Sequence, residues 1–140
     1  MSNIIPQASG NNQGPWAALE NDTRVLTNTS ECLIICGPYD FSSGARTANS
    51  TSTASIAIPN WTWKVIVVVP LGAGSVTNRI TASTRVICVK MTNSTDANYT
   101  YGTWPTYVTN AHRIELDTGF TFFTSLDTNI AAVLRARIDG

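Results

Sequence analysis

The sequence is poor in charge. Lys and Arg together number nine and Asp and Glu another nine, so charged residues make up 13% and the formal net charge is zero. A soluble domain ordinarily carries about 25%. No field of one sign therefore steers the chain toward a phosphate backbone or an anionic membrane. Histidine occurs once, as His112. A Ser-His-Asp or Cys-His enzyme has to use it as base, and no Gly-x-Ser-x-Gly turn is there to display a nucleophile. Metal ligands are equally sparse, with one His, three Cys and no dense carboxylate loop, so no metal or cofactor is expected. Gly72-Ala73-Gly74 lacks the third glycine and the following helix of a phosphate loop. The longest apolar run, Val65 to Leu71, is far too short to span a bilayer. No membrane partner is expected.

What is present argues for a folded domain. Hydrophobic residues reach 43% of 140, enough for a real core. Low charge with ordinary hydrophobicity is the reverse of the composition that keeps chains disordered. The start Met1-Ser2-Asn3-Ile4-Ile5-Pro6 has neither a basic segment nor a long apolar one, so no secretory leader is expected. Cys32 and Cys36 flank Leu33-Ile34-Ile35. On a strand they share a face but sit about 13 Å apart, beyond the ~7 Å that a disulfide allows. Free thiols, with Cys88, are expected. Six Asn-x-Ser/Thr sequons begin at Asn21, Asn28, Asn49, Asn60, Asn93 and Asn98. In a chain so rich in these residue types they arise by chance.

Along the chain, residues 1–22 are rich in Gly, Asn and Gln and read as an extended N-terminal arm anchored by Trp16. Residues 23–140 read as one β-sandwich domain. Strands are predicted over Arg24 to Cys36, Thr53 to Ile58, Trp61 to Val69, Val76 to Ala82, Thr84 to Met91, His112 to Asp117 and Phe120 to Ser125. Phe41 to Ser52 is predicted as a polar loop. In His112 to Asp117, the residues His112, Ile114 and Leu116 are predicted to face in and Arg113, Glu115 and Asp117 to face out, so a packed histidine is expected. In Trp61 to Val69, the residues Trp61, Trp63, Val65, Val67 and Val69 share one face, and the second half is apolar on both. Residues 129–138 fit a helix capped by Asp127 or Thr128, and they fit a strand. The strand is preferred because nothing before it reads as helical. About eight strands without βα alternation predict an all-β fold, a two-sheet antiparallel sandwich of jelly-roll type.

Three features could carry function. Asp117-Thr118-Gly119 is similar to the Asp-Thr-Gly signature of the aspartic proteases, whose small viral members place one triplet in each subunit of a dimer. The flap and the later apolar run ending in Gly are missing, and the triplet reads as a β-turn. Tyr99, Tyr101, Trp104 and Tyr107 lie on a predicted loop where aromatic rings can hold a sugar or anchor a protein contact. The alternative is that they cap one end of the core. Arg113, Arg135 and Arg137 can form a small basic face giving weak nucleic-acid contacts.

With its arm, its β-runs and its Ser/Thr/Asn-rich loops, the chain resembles the single jelly-roll coat proteins of small icosahedral viruses. That resemblance implies a structural, non-enzymatic capsid protein. It would assemble with itself in the host cytoplasm into a virion, through Trp16 and the aromatic loop, touching viral RNA only through a few arginines. Lys and Arg are absent before Arg24, so the arm itself carries no genome-neutralising charge. The rival expectation is a β-sandwich binding module, an adhesin or carbohydrate-binding domain, using loop 99–107. A protruding or decoration domain of a larger virion shares features with both.

Overall fold

The computed structural model describes residues 5–42, 45–47 and 55–139. Its centre is strand β4 (Trp61–Pro70), whose β-branched run is buried from Thr62 through Val69. Such a strand is stable only when both faces are covered. Its neighbours are β1 (Ser30–Tyr39), antiparallel from Ser30 opposite Pro70 to Tyr39 opposite Trp61, and β5 (Arg85–Thr92), also antiparallel. The two-residue β6 (Val108–Thr109) follows β5, giving the order β1-β4-β5-β6. A separate ribbon of β2 (Ala45–Thr47) and β3 (Ser55–Ala57) lies in sequence between β1 and β4.

Helices cover both faces of this one sheet. Over one face lies α1 (Ala17–Leu26); with Trp16 just before it, its Leu19 and Leu26 pack on Ile66, Val68, Ile87, Val89 and Met91. Over the other lie α2 (Ala111–Thr118) and α3 (Thr128–Ala136), which bury Ala111, Ile114 and Leu134 against Trp63, Val65, Val67, Val69, Val86 and Cys88. The architecture is a mixed α/β layer structure. The expected all-β jelly roll is not what forms, and the physical reason is that helices, not a second sheet, cover β4.

The individual differences follow from local chemistry. The supposed arm is helical: a short turn Ser9–Asn11 and a π-type turn Asn12–Trp16 lead into α1, which crosses positions 22 and 23. Trp16, Leu19, Thr23 and Leu26 recur at helical spacing and face the sheet. His112 to Asp117 is helix, not strand. Asn110 caps it by accepting from Arg113 N at 2.8 Å, and Gly119 ends it in the left-handed region at φ 75°. Residues 129–138 follow the helical alternative through Ala136, with the Asp127 side chain accepting from Asn129 N and Ile130 N.

Val76–Arg79 is a 3₁₀ turn. Phe120 to Ser125 joins no ladder among the described residues; Phe122 instead donates its N–H to Glu115 and accepts from Arg135. Strand β1 begins only after α1 ends and runs through Gly37-Pro38 instead of stopping there. Gly37 is required because the Trp63 ring would lie 2.7 Å from any Cβ at that position. Part of the polar loop Phe41 to Ser52 and the sequon at Asn49 lie outside the described residues.

Candidate functional site

The most unusual side chain in the core is a lysine. Lys64 sits in the central strand on the α1 side of the sheet, only 4% exposed. A buried ammonium needs partners, since desolvating it alone costs several kcal/mol. It finds two. Its Nζ donates to Glu20 Oε1 at 3.2 Å, and it lies 3.9 Å from the centroid of the Trp16 ring. Trp16 Nε1 also donates to Glu20 Oε1, at 3.0 Å. Both bonds fall on the same oxygen. The Glu20 side chain is 44% exposed, and its Oε2 carries no protein bond among the described residues.

The segment before α1 sets this geometry. Pro15 has no N–H to give, and Gly14 leaves helical dihedrals at φ −97°, ψ −115°, so the helix enters through a widened, kinked turn. Turns of this type often occur at functional sites. Buried polar bonds pin the segment to the sheet. Asn11 is fully buried, and its Nδ2 donates to Thr62 Oγ1 at 2.9 Å. Asn93 accepts from Ala8 N at 2.7 Å and donates to the carbonyls of Pro6 and Pro59. Asn11 Oδ1 is buried without a protein partner. One turn beyond Glu20, Arg24 is exposed; it donates to Asn21 Oδ1 at 2.6 Å and has no carboxylate within salt-bridge distance among the described residues.

Most other cations are neutralised. Arg79 pairs with Glu31, Arg85 with Asp139, Lys90 with Asp117 and Arg135 with Glu115. Among the described residues no three His, Cys, Asp or Glu side chains gather as a metal cluster. A hydrated divalent cation needs less, since Mg²⁺ is commonly held by one or two carboxylates and substrate phosphate while keeping several waters. Glu20 Oε2 meets that requirement.

The residues singled out in the sequence are dispersed. Trp16 belongs to the Glu20 site as a buried ring beneath it. Trp104 and Tyr107 pack on the α1-side core, Trp104 Nε1 donates to Asp22 Oδ2 at 2.7 Å, and the Tyr107 hydroxyl accepts from Gly102 N. Tyr99 and Tyr101 meet edge-on at 4.8 Å, and the Tyr101 hydroxyl donates to the Ser94 carbonyl. Burial raises the Tyr101 and Tyr107 phenols. Arg113 lies 3.6 Å from Asp117, while Arg137 donates to the carbonyls of Ala82 and Ser83. Arg113 and Arg135 stand on α2 and α3, across the sheet from Glu20. His112 is exposed on α2, near Glu115, and not packed inward as expected. Asp117-Thr118-Gly119 is the end of α2, with Asp117 paired to Lys90 at 2.6 Å. Sequence reasoning missed Glu20, Arg24 and Lys64. The available signal was a lone lysine inside an apolar strand and an i, i+4, i+8 series of Trp16, Glu20 and Arg24.

Residues 1–129 match the family described as DNA/RNA non-specific endonuclease. The chain belongs to that family. A relative, the nuclease of Nostoc sp. strain PCC 7120, is 30% identical over 140 residues, covering 99% of this chain and 47% of the relative. A chain in the crystal structure of the EndoG/EndoGI complex, which addresses the mechanism of EndoG inhibition, shares the fold at a TM-score of 0.60 and 21% identity. That match covers 90% of this chain and 50% of the other. This endonuclease-family chain thus spans about half the length of the relatives it matches.

The family overturns the coat-protein resemblance and with it the virion, capsid assembly as the function, and the non-enzymatic reading. The binding-module alternative is likewise unsupported. The composition misled because low charge and Ser/Thr/Asn-rich loops describe a surface, whereas the family relationship extends along most of the chain.

Proposed function

We propose that this chain supplies part of a nuclease centre that hydrolyses phosphodiester bonds in DNA or RNA, with Glu20 and Arg24 at the scissile phosphate. One observation carries the reading: among the described residues, a half-exposed carboxylate, immobilised through one oxygen by a buried lysine and a buried tryptophan, has its second oxygen without a protein partner one helical turn from an arginine without a carboxylate partner. Residues four apart are neighbours on a helix face. The Arg24 guanidinium can bind two phosphate oxygens and stabilise the charge that builds as water attacks phosphorus. Lys64 and Trp16 position Glu20 and do not touch substrate. A hydrated divalent cation held by Glu20 and phosphate would polarise the P–O bond. The neutral surface is no obstacle to chemistry, though it predicts weak electrostatic capture of nucleic acid.

The test is cleavage of supercoiled plasmid and of single-stranded RNA. It uses the purified chain, and the chain co-expressed with the part of the Nostoc nuclease that it does not match. Cleavage is expected in at least one preparation, with Glu20→Gln and Arg24→Ala each slowing it by about 100-fold or more, the scale of losing one transition-state contact. No cleavage in either preparation, or cleavage indifferent to Glu20→Gln, overturns the reading.

A further inference from the structure

Asn11 and Thr62 are both wholly buried, and the bond from Asn11 Nδ2 to Thr62 Oγ1 is the one protein bond that the Asn11 side chain makes among the described residues. A buried hydrogen bond contributes modestly, whereas a buried oxygen left unpaired forfeits its hydration. Replacing both partners of such a pair by apolar groups of the same shape is commonly neutral or stabilising. Asn93, also buried, is the contrast: it accepts from Ala8 N and donates to the carbonyls of Pro6 and Pro59, so both ends of its amide are bonded. Asn93 already ties the start of this segment to the sheet. Asn11 therefore adds little to holding the segment down. What it adds is direction.

Its place in the chain gives that direction a use. Asn11 immediately precedes the π-type turn Asn12–Trp16, and Trp16 closes it. Thr62 and Lys64 are two residues apart on β4, so they share a face and lie about 7 Å apart along the strand. One strand thus grips the turn at both ends, Asn11 through Thr62 and Trp16 with Glu20 through Lys64. Between the grips little fixes the pitch of the turn, since Pro15 gives no N–H and Gly14 leaves helical dihedrals. We propose that Asn11 and Thr62 form a polar clamp that sets this pitch, so that Trp16 and Glu20 meet Lys64 in a single register. Both are positioning residues and act through Trp16 and Glu20. A directional bond admits one register, whereas an apolar pair of the same volume keeps stability and loses uniqueness first. The consequence for hydrolysis rests on the reading of Glu20 given above; the clamp itself does not.

The test compares the whole chain with the double variant Asn11→Leu/Thr62→Val and with Thr62→Ser, by melting and by NMR of the tryptophan indole N–H groups. The double variant should melt at or above the parent. Its Trp16 indole, no longer held on Glu20, should exchange its proton at least about tenfold faster. The Trp63 indole, which donates to the Pro38 carbonyl, is the internal control and should keep its rate. Thr62→Ser retains the hydroxyl and should keep the parent Trp16 signal. In any preparation described above that cleaves, the double variant should lower kcat about tenfold at unchanged KM, the effect of a displaced but intact carboxylate. Unchanged Trp16 exchange overturns the proposal. So does a double variant that melts well below the parent or frees Trp63 equally, because the pair then merely holds the fold, and so does an unchanged kcat where cleavage is seen. A parent chain that never cleaves sinks the proposed function, and the indole signals alone then decide the clamp. Unchanged indoles beside cleavage that depends on Glu20 do the reverse.

Discussion

Single residues carry much of what holds the site and the sheet in place. Asp40 follows β1 at φ 62°, a conformation that Asn and Asp tolerate best. Its carboxylate accepts from Asn60 Nδ2 at 2.9 Å and from Ser42 N at 2.9 Å, joining the end of β1 to the approach to β4. Hydrogen bonds from the Ser42 and Asn60 side chains, then from the Ser42 backbone, pull its pKa from 3.8 down to about 2. A carboxyl lowered by folding stabilises the fold above its unfolded value, and that contribution fades as pH falls toward 2. Asp40→Asn should therefore melt below the parent chain at pH ~6, with the gap closing by pH ~2. Melting curves across that window check it. The thiols divide in the same residue-by-residue way. Burial, with a smaller contribution from Asp139, pushes Cys88 up to about 12, whereas Cys36 is exposed. A thiol reagent at mildly alkaline pH should modify Cys36 in the native protein and reach Cys88 only after denaturation.

At the scale of elements, the helix signals were present and lost to a competing pattern. Asn110 and Gly119 bracket α2 as cap and stop, yet His112, Ile114 and Leu116 also alternate as in a strand. The structure decides through Leu116, which is 66% exposed, while Ala111 and Ile114 are buried. Alternation had placed Leu116 inward. Asn110→Ala should cost about 1 kcal/mol by removing the cap. Gly119→Ala should cost a similar ~1 kcal/mol, because L side chains resist a positive φ. Urea titrations read both. In α1, Leu19 is wholly buried, and Leu19→Ala should destabilise by about 2–5 kcal/mol and loosen the platform beneath Glu20. Strand β4 was legible throughout, with its odd-numbered face correctly assigned, because a β-branched run bounded by turns has few other ways to fold. The N-terminal segment was not. Its Gly, Asn and Pro content suggested an arm, when these residues instead build the kinked entry to a helix.

For the whole molecule, the sheet order predicts a gradient of stability. Amides of β4, paired on both sides, should exchange slowest in the isolated chain, and the outer amides of β1 fastest. No helix among the described residues is long and apolar enough to cross a membrane. By itself the sequence determined that the chain folds, that β4 forms its core, and that Cys32 and Cys36 stand on one strand without bonding to each other. It determined these because composition, β-branched runs and strand spacing are local quantities. What covers β4 was decided only by the tertiary structure, since an apolar strand face can be buried by a sheet or by helices with the same local pattern. The site was decided there too. Glu20 and Lys64 lie 44 residues apart in the chain and become partners only when α1 folds down onto the sheet.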